Sequence, residues 1–408
     1  MRVLYFHQHF TTPDGSGGTR SYEFARALIA RGHQVTMVCG RSERSALALP
    51  WDARNGWNRG TIDGIDVIAL PLNYSNRDGL LKRTILFLKF AWRGVQIALD
   101  RKNYDLLFAT STPLTAALPG IGMKMLGGGR PFIFEVRDLW PELPKALGMR
   151  NPLLLGGMSA LEWMGYRCAD ACIGLAPGIV EGIKQRAPKG RRVVLVPNGC
   201  DLDLFHPSKR SASTLPGVRP GDFVAGFTGA HGIANGLEAV LDVAAELKRR
   251  GHADIKLVLI GDGKTKDALV ARAAREGLDN CLFLPPVKKT EIARITASFD
   301  CGLMILANVP AFYYGTSPNK FFDYIASGLP VVTNYPGWLA DLITEKKCGV
   351  AVPPNDAGAF ADALIRLQKS DMRELGRNAR HFAETEFSRH QLGEKWVDVI
   401  ESTVRVLR

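Results

Sequence analysis

The chain of 408 residues has no run of 18 uncharged apolar residues, which excludes a membrane-spanning helix. Its seven cysteines (Cys39, Cys168, Cys172, Cys200, Cys281, Cys301, Cys348) are odd in number and never form a paired CxxC spacing. That argues against a disulfide framework or a zinc site and for free thiols in a reducing compartment. The first residues, Met1 to Phe6, read as a strand and lack the basic-then-apolar layout of a signal peptide, so a cytoplasmic location is expected. Zinc-finger and RNA-binding signatures are missing, as are basic runs interleaved with aromatics, so nucleic acid is not an expected partner. There is no internal repeat and no low-complexity segment.

Net charge is +12, and its distribution is uneven. Residues 1–200 carry 26 Lys and Arg against 15 Asp and Glu, whereas residues 201–408 carry 26 against 25. The excess cation belongs to the first half, where it favours phosphate groups or an anionic membrane surface.

Along the first half, apolar runs at 3–6, 34–39, 65–70, 106–110, 132–136, 171–175 and 192–197 alternate with helical patterns at 21–31, 80–99, 114–126, 153–169 and 179–186. Continuous apolar strands between helices predict a doubly wound parallel sheet. The pattern lapses over 198–222 and then resumes, with strands at 223–228, 256–260, 281–284, 301–305, 331–333 and 349–352. Helices are expected near 236–249, 265–276, 290–298, 318–327 and 356–368. The expected division is 1–198, 199–387 and a terminal helix over 388–408. Ligands of such sheets bind beyond the strand C-termini, so a cleft between two such domains is the expected site.

The richest stretch is Ser317-Pro318-Asn319-Lys320-Phe321-Phe322-Asp323-Tyr324, followed by Gly328 and an apolar strand. Ser317 and Pro318 read as the N-cap and first residue of a helix that Gly328 ends. The helix start offers free N–H groups to an anion and carries a cation, Lys320; one turn on lies the carboxylate of Asp323. Amides and lysine suit a diphosphate, and a carboxylate suits ribose hydroxyls, so a sugar nucleotide is the expected ligand. A glycine loop, Asp14 to Arg20, follows the first strand and is not a dinucleotide fingerprint, since Arg20 stands where the third glycine would fall. Gly226 to Gly232 takes the matching place in the second domain. Phe134-Glu135-Val136-Arg137-Asp138 ends a buried strand in charge, at the mouth of the expected cleft.

These segments resemble retaining, family-four glycosyltransferases of the GT-B fold, an α/β architecture of two Rossmann-like doubly wound domains facing a central cleft. The likeness is strongest to the branch that builds lipid-linked surface polysaccharides, where Ser-Pro-x-Lys-hydrophobic-x-acid-Tyr recurs. It implies a hexose transfer from a UDP-sugar to a polyprenyl-diphosphate-linked sugar, without metal or other cofactor. It places Gly17, Gly18, Gly229, His231, Ser317, Asn319, Lys320 and Asp323 on the donor, with Lys320 and Asp138 in the catalytic roles. His9, Arg20, Glu135 and Arg137 are expected on the acceptor, and the terminal helix is expected to cross back onto the first domain. Three departures stand out. The family's diphosphate-binding Arg and Lys fall on Ala230 or His231 and on Asn235, so Lys320 is the expected replacement. The first of the family's two acids falls on Gly315, which fits a donor with fewer hydroxyls, such as an N-acetylated or deoxy hexose. Asp138 stands where many relatives carry a His-containing motif. His231 is also readable as a solvated loop histidine.

Two metal-like patterns are discounted. Asp201-Leu202-Asp203 follows Val196-Pro197-Asn198-Gly199, which resembles the linker of GT-B enzymes, and His7-Gln8-His9 has no further ligands in the sequence. Over Leu80 to Asp100, Lys82, Lys89, Arg93, Gln96 and Asp100 share one side of a helix whose remaining arc is apolar. It reads either as a sheet-covering helix or as a membrane-surface helix; the second would make the protein peripheral on the inner face of the cell membrane. Two other activities fit part of the pattern: a UDP-sugar epimerase, and a non-catalytic nucleotide-sugar-binding protein.

Overall fold

The computed structural model describes residues 1–407 except 16, 43, 44, 46, 76, 77, 101, 102 and 210–214. Ser16 of the glycine loop and part of the connection expected over 198–222 lie outside the described residues. The chain divides into two compact units: Met1–Pro197 with Gly315–Ser317 and His390–Arg408, and Asn198–Tyr314 with Pro318–Arg389.

The first unit is built on β1 (Arg2–Phe6), β2 (Gln34–Ser42), β3 (Trp51–Asp52), β4 (Trp57–Ile62), β5 (Ile65–Tyr74), β6 (Leu106–Thr110), β7 (Phe132–Val136), β8 (Ala171–Gly174) and β9 (Arg192–Leu195). They join in the order β3-β4-β5-β2-β1-β6-β7-β8-β9. Every neighbouring pair from β5 to β9 is parallel, while β4 pairs antiparallel with β5 and β3 with β4. Strands β6 and β7 are buried at every residue, as their uninterrupted apolar sequence demands of a sheet covered on both faces. Helices α1 (Arg20–Ala30), α2 (Leu80–Asp100), α3 (Leu118–Leu126), α5 (Pro152–Cys168) and α6 (Pro177–Arg186) supply that cover, while the short α4 (Glu142–Ala146) buries none of its residues. Asn151 caps α5 by accepting from the amides of Leu153 and Leu154.

A terminal helix spans Arg389–Leu407 and belongs to the first unit from His390 onward. Its Trp396 is fully buried, with ring centroids 5.0 Å from Phe24, 4.8 Å from Phe108 and 6.0 Å from Tyr5. Arg31 pairs with Glu394 at 3.2 Å and with Asp398, and His33 meets Glu401 at 2.8 Å. The aromatic contacts carry the attachment, because half-exposed ion pairs contribute little.

The second unit holds β10 (Phe223–Thr228), β11 (Ile255–Ile260), β12 (Cys281–Leu284), β13 (Cys301–Met304), β14 (Val331–Thr333) and β15 (Gly349–Ala351). All are parallel, in the order β12-β11-β10-β13-β14-β15. Its helices are α7 (Glu238–Arg249), α8 (Lys266–Glu276), α9 (Lys289–Thr296), α10 (Pro310–Tyr313), α11 (Asn319–Ala326), α12 (Trp338–Glu345), α13 (Ala357–Lys369) and α14 (Arg373–Glu386). Strand order reverses between β10 and β13 here, and between β1 and β6 in the first unit. Backbone connections diverge at each reversal and leave a crevice at the strand C-termini. Both candidate sites lie there.

Candidate functional site

In the second unit, β10 is buried throughout and ends at Thr228. The chain then turns through Gly229, whose φ of 148° only glycine adopts readily, into the loop that reaches Asn235. Across the reversal, α11 is anchored by Tyr324, fully buried, whose hydroxyl accepts from the Thr228 amide at 2.9 Å. The ring lies so close to β13 that a Cβ on Gly302 would fall 2.4 Å from it. This contact sets the distance between the first turn of α11 and the Gly229 loop.

Into that space projects Lys320. Its Nζ donates to Asn235 Oδ1 at 2.7 Å and lies 4.2 Å from the Phe227 ring centroid. The Asn235 amide is itself oriented, its Nδ2 donating to Ala230 O at 2.8 Å. Among the described residues no carboxylate pairs with Lys320, and burial alone pushes its pKa down to about 7. Asn235 is one of the positions where the resemblance leads one to expect a cation, and the structure brings Lys320 to it. A neutral amide there removes the repulsion that a second cation would impose.

Ser317 does not cap the helix. The capping position falls on Pro318, which has no side-chain acceptor, and α11 begins at Asn319. The reason is geometric: Pro318, with φ −74° and ψ 128°, sits in extended rather than helical backbone. Among the described residues the capping position therefore supplies no side-chain acceptor to the first-turn amides of α11. Gly328, with φ 66°, follows the helix in the left-handed conformation expected of a terminating glycine.

Asp323 lies one turn on and is 9% exposed. Its Oδ1 is buried without a hydrogen-bond partner among the described residues. Burial raises its pKa to about 6, against the lowering fields of Lys289 and Arg389. Desolvation wins because both cations face a nearer carboxylate, Asp201, at 3.5 and 3.7 Å. Asp201 also accepts from the Leu204 amide, so it has a structural occupation.

His231 is neither solvated nor turned toward an open site. The residue is fully buried, both ring nitrogens are unpartnered, and its ring lies 6.1 Å from Phe227 and 6.2 Å from Phe283. Burial, reinforced by Lys266, lowers its pKa to about 4 and keeps it neutral. Its backbone does the holding: the amide donates to Asp262 O at 3.0 Å, and its carbonyl accepts from Thr265 Oγ1 at 2.8 Å. The reading of His231 as a solvated loop histidine is corrected accordingly.

In the first unit, polar groups gather where β1, β6 and β7 end. Arg137 Nη1 donates to His7 Nε2 at 3.3 Å, and the Arg137 amide donates to Ser111 Oγ at 2.9 Å. An arginine only donates, so His7 accepts through Nε2 and carries its proton on Nδ1. Burial, then Arg137, lowers the His7 pKa well below the ordinary range. Thr112, at a φ of 127° rare for a β-branched residue, donates to Asp138 Oδ2 at 3.3 Å. Burial raises the Asp138 pKa, with Arg137 and Thr112 opposing it. His7 Nδ1 and the Gln8 amide have no partners among the described residues. Both were legible as candidates by the rule that singled out Arg137 and Asp138, since they too directly follow a central strand. His9 is half-buried against Tyr74, with ring centroids 4.5 Å apart. A Cβ on Gly17 would fall 2.9 Å from Thr11, which accounts for glycine there.

Arg20 and Glu135, expected on the acceptor, are committed to each other. Arg20 Nη2 lies 2.7 Å from Glu135 Oε2, with side chains 3% and 0% exposed. The guanidinium also donates to the carbonyls of Val196 and Pro197, and Thr110 donates to Glu135. This network fastens α1 to β6, β7 and the end of β9 and uses four of the five N–H donors of Arg20. Glu135→Ala should lower the stability of the chain in urea denaturation by about 3–5 kcal/mol, because it strands a buried guanidinium. Unchanged stability with a raised KM for the acceptor would restore the binding role.

Two mainly parallel sheets, each with polar groups collected at its point of strand reversal, define the GT-B class of α/β protein. The family model "Glycosyl transferase 4-like domain" matches residues 15–199, and "Glycosyl transferases group 1" matches residues 222–370. The chain belongs to the GT-B glycosyltransferase family. It is 28% identical over 198 residues to a D-inositol 3-phosphate glycosyltransferase of Nocardia farcinica, covering 46% of this chain and 43% of that protein. It is 27% identical over 169 residues to the amylovoran biosynthesis glycosyltransferase AmsK of Erwinia amylovora, covering 41% of each. The chain thus matches less than half the length of these curated relatives. Among solved structures, sucrose-phosphate synthase from Thermosynechococcus elongatus superposes with a TM-score of 0.78 at 18% identity, covering 99% of both chains. HepE of Anabaena, in complex with UDP and glucose, gives 0.70 at 18% identity, covering 98% of this chain and all 100% of that one. At this identity the likeness shows the fold.

Proposed function

We propose that this protein transfers a hexose from a UDP-sugar to a sugar hydroxyl of a polyprenyl-diphosphate-linked acceptor, with retention at the anomeric carbon and without a metal. The observation that carries the reading is the half-buried Lys320, uncompensated by any carboxylate among the described residues, beside the uncapped amides of α11. A diphosphate supplies the missing charge and fills those donors. Asp323 Oδ1, unpartnered one turn further on, takes a ribose hydroxyl. The complex of HepE with UDP and glucose supports a uridine nucleotide as donor, and the relative in amylovoran biosynthesis supports a polysaccharide product.

In this reading Lys320 and the α11 amides stabilise the negative charge that grows on the diphosphate as the glycosidic bond breaks. The acceptor oxygen attacks the same face, and its proton passes to the departing phosphate oxygen. Asp138, held by Thr112, orients the acceptor hydroxyl, with Arg137 and His9 beside it on the first unit. The missing acid at Gly315 favours an N-acetylated or deoxy hexose. No helix among the described residues is long and apolar enough to cross a membrane. Attachment to the inner face of the cell membrane would instead use the outward apolar residues of α2 and the positive first half of the chain.

The test is product analysis with a panel of UDP-sugars, with and without extracted lipid-linked acceptor. The expected result is UDP release and a glycosylated lipid only when both are present. Conversion of the UDP-sugar alone would indicate an epimerase, and tight UDP-sugar binding without any transfer would indicate a binding protein.

A further inference from the structure

Helix α2 has three faces. Phe90, Ala91, Ile97 and Ala98 are buried under it. Leu81, Ile85, Leu88 and Trp92 point outward, 75%, 44%, 53% and 66% exposed. Their spacing of four, three and four residues makes one stripe, roughly 16 Å long at 1.5 Å per residue. Lys82, Lys89 and Arg93 flank it. The neighbouring helices continue this character: α3, packed on α2, ends in exposed Met125 and Leu126, and α5, packed on α3, exposes Leu153 and Trp163.

The first turn of α2 holds a group that neither packing nor stability explains. The Arg83 guanidinium lies over two aromatic rings, 5.6 Å from the Tyr74 centroid and 6.0 Å from that of Phe87. Those rings stack on each other at 5.8 Å and 22°, and His9 closes the platform against Tyr74. Arg83 Nε is buried and has no hydrogen-bond partner, and among the described residues no carboxylate pairs with the guanidinium. The nearby carboxylate, Asp78, pairs with Lys82 at 2.6 Å and meets Arg83 only through the longer-range field of its charge. A planar cation held on aromatic rings, with its Nε unfilled among the described residues, matches the oxygens of a phosphate group. Its place joins two surfaces: the outward apolar stripe begins two residues before it, and His9 connects it to the strand-end cluster of His7, Arg137 and Asp138.

We propose that Arg83 binds the diphosphate of the lipid-linked acceptor, with the hydrocarbon running along the stripe from Leu81 to Trp92 and the sugar at the end of β1. The inference rests on the lipid-linked acceptor proposed above and assigns its phosphate a seat. The test measures binding of the full chain to polyprenyl diphosphate in detergent micelles against the phosphate-free polyprenol. The wild type should prefer the diphosphate, and Arg83→Ala should erase that preference, weakening diphosphate binding by about 10- to 100-fold. Arg83→Lys should recover only part of it, since a point charge lacks the fork. Thermal stabilisation by a UDP-sugar should be unchanged in both variants, which separates this result from the fate of the donor assignment. A diphosphate preference retained in Arg83→Ala, or absent from the wild type, overturns the proposal. Phosphatidylglycerol vesicles without acceptor provide the second arm. Equal loss of vesicle binding in Arg83→Ala would assign the residue to bulk headgroups and overturn the acceptor seat.

Discussion

Affinity for a UDP-sugar should fall as pH rises above 7, approaching tenfold per pH unit, and Lys320→Met should abolish that dependence. The sign follows from the burial of this ammonium. Its pKa in the free protein is about 7, so near neutrality a large share of Lys320 is already deprotonated. A bound diphosphate favours the charged form and raises that pKa, so binding takes up a proton at any pH between the two values. Below pH 7 this contribution is flat. The same group acts oppositely on the free fold. Its folded pKa lies below the ordinary 10.5, so the unfolded chain holds the proton more tightly and stability rises with pH between about 7 and 10. Ligand affinity and free-state stability should therefore move in opposite directions over the same interval. A charge-assisted hydrogen bond is worth about 1.5–3 kcal/mol, so Lys320→Met at pH 6.5 should weaken donor binding roughly 10- to 100-fold. Titration calorimetry at several pH values checks this; an equal slope in wild type and variant would remove Lys320 from the diphosphate.

Asp323→Asn should make the chain more stable and less active at once. The carboxyl pKa is raised to about 6 by burial, so the folded state holds the proton more tightly than the unfolded state between about pH 4 and 6. Stability is lost as pH rises through that window, and at pH 7 the buried charge costs about 2–3 kcal/mol. An amide of the same shape removes the charge. Melting temperature at pH 7 should rise by a few degrees, on the order of 2–4 °C per kcal/mol for a unit of this size, and the gain should vanish near pH 4. Transfer should fall by at least about tenfold, because an amide oxygen is a weaker acceptor for a ribose hydroxyl than a carboxylate. A variant that is less stable at pH 7, or as active as wild type, would contradict the assignment. Carrying an unpartnered carboxylate in a buried position is a cost that a purely structural residue would not impose.

The parallel strands were legible because a strand covered on both faces must be apolar throughout. β6, β7 and β10 therefore appear as unbroken runs. β3 and β4 are not legible in the sequence for the converse reason. They form an antiparallel, half-exposed edge, and Trp57–Ile62 mixes Asn, Arg, Gly and Thr with its apolar residues. Helices α12 and α14 were also missed; the second, Arg373–Glu386, is rich in charge and buries only Ala379, Phe382 and Ala383.

Within the site, Lys320 and Asp323 were legible because each is a charge on an otherwise apolar helix. The roles of Arg20, Glu135 and His231 were not. Arg20 and Glu135 stand 115 positions apart, and nothing local distinguishes a cation that meets a ligand from one that meets a distant carboxylate. His231 lies in a glycine-bordered loop that looks exposed in sequence and is fully buried in the fold. Arg83 is the reverse case: it stands beside Lys82 and reads as a solvated charge until Tyr74 and Phe87 are found beneath it.

By itself the sequence determined the parallel part of each sheet, the point at which one follows the other, and the chemical kinds of group at the strand ends. Those depend on short-range patterns: apolar runs, glycine turns and helix starts. Tertiary structure alone decided which charges are neutralised. Pairing and desolvation act through space between residues far apart in the chain, and they separate Arg20, closed in an ion pair, from Lys320 and Arg83, which no carboxylate pairs with among the described residues.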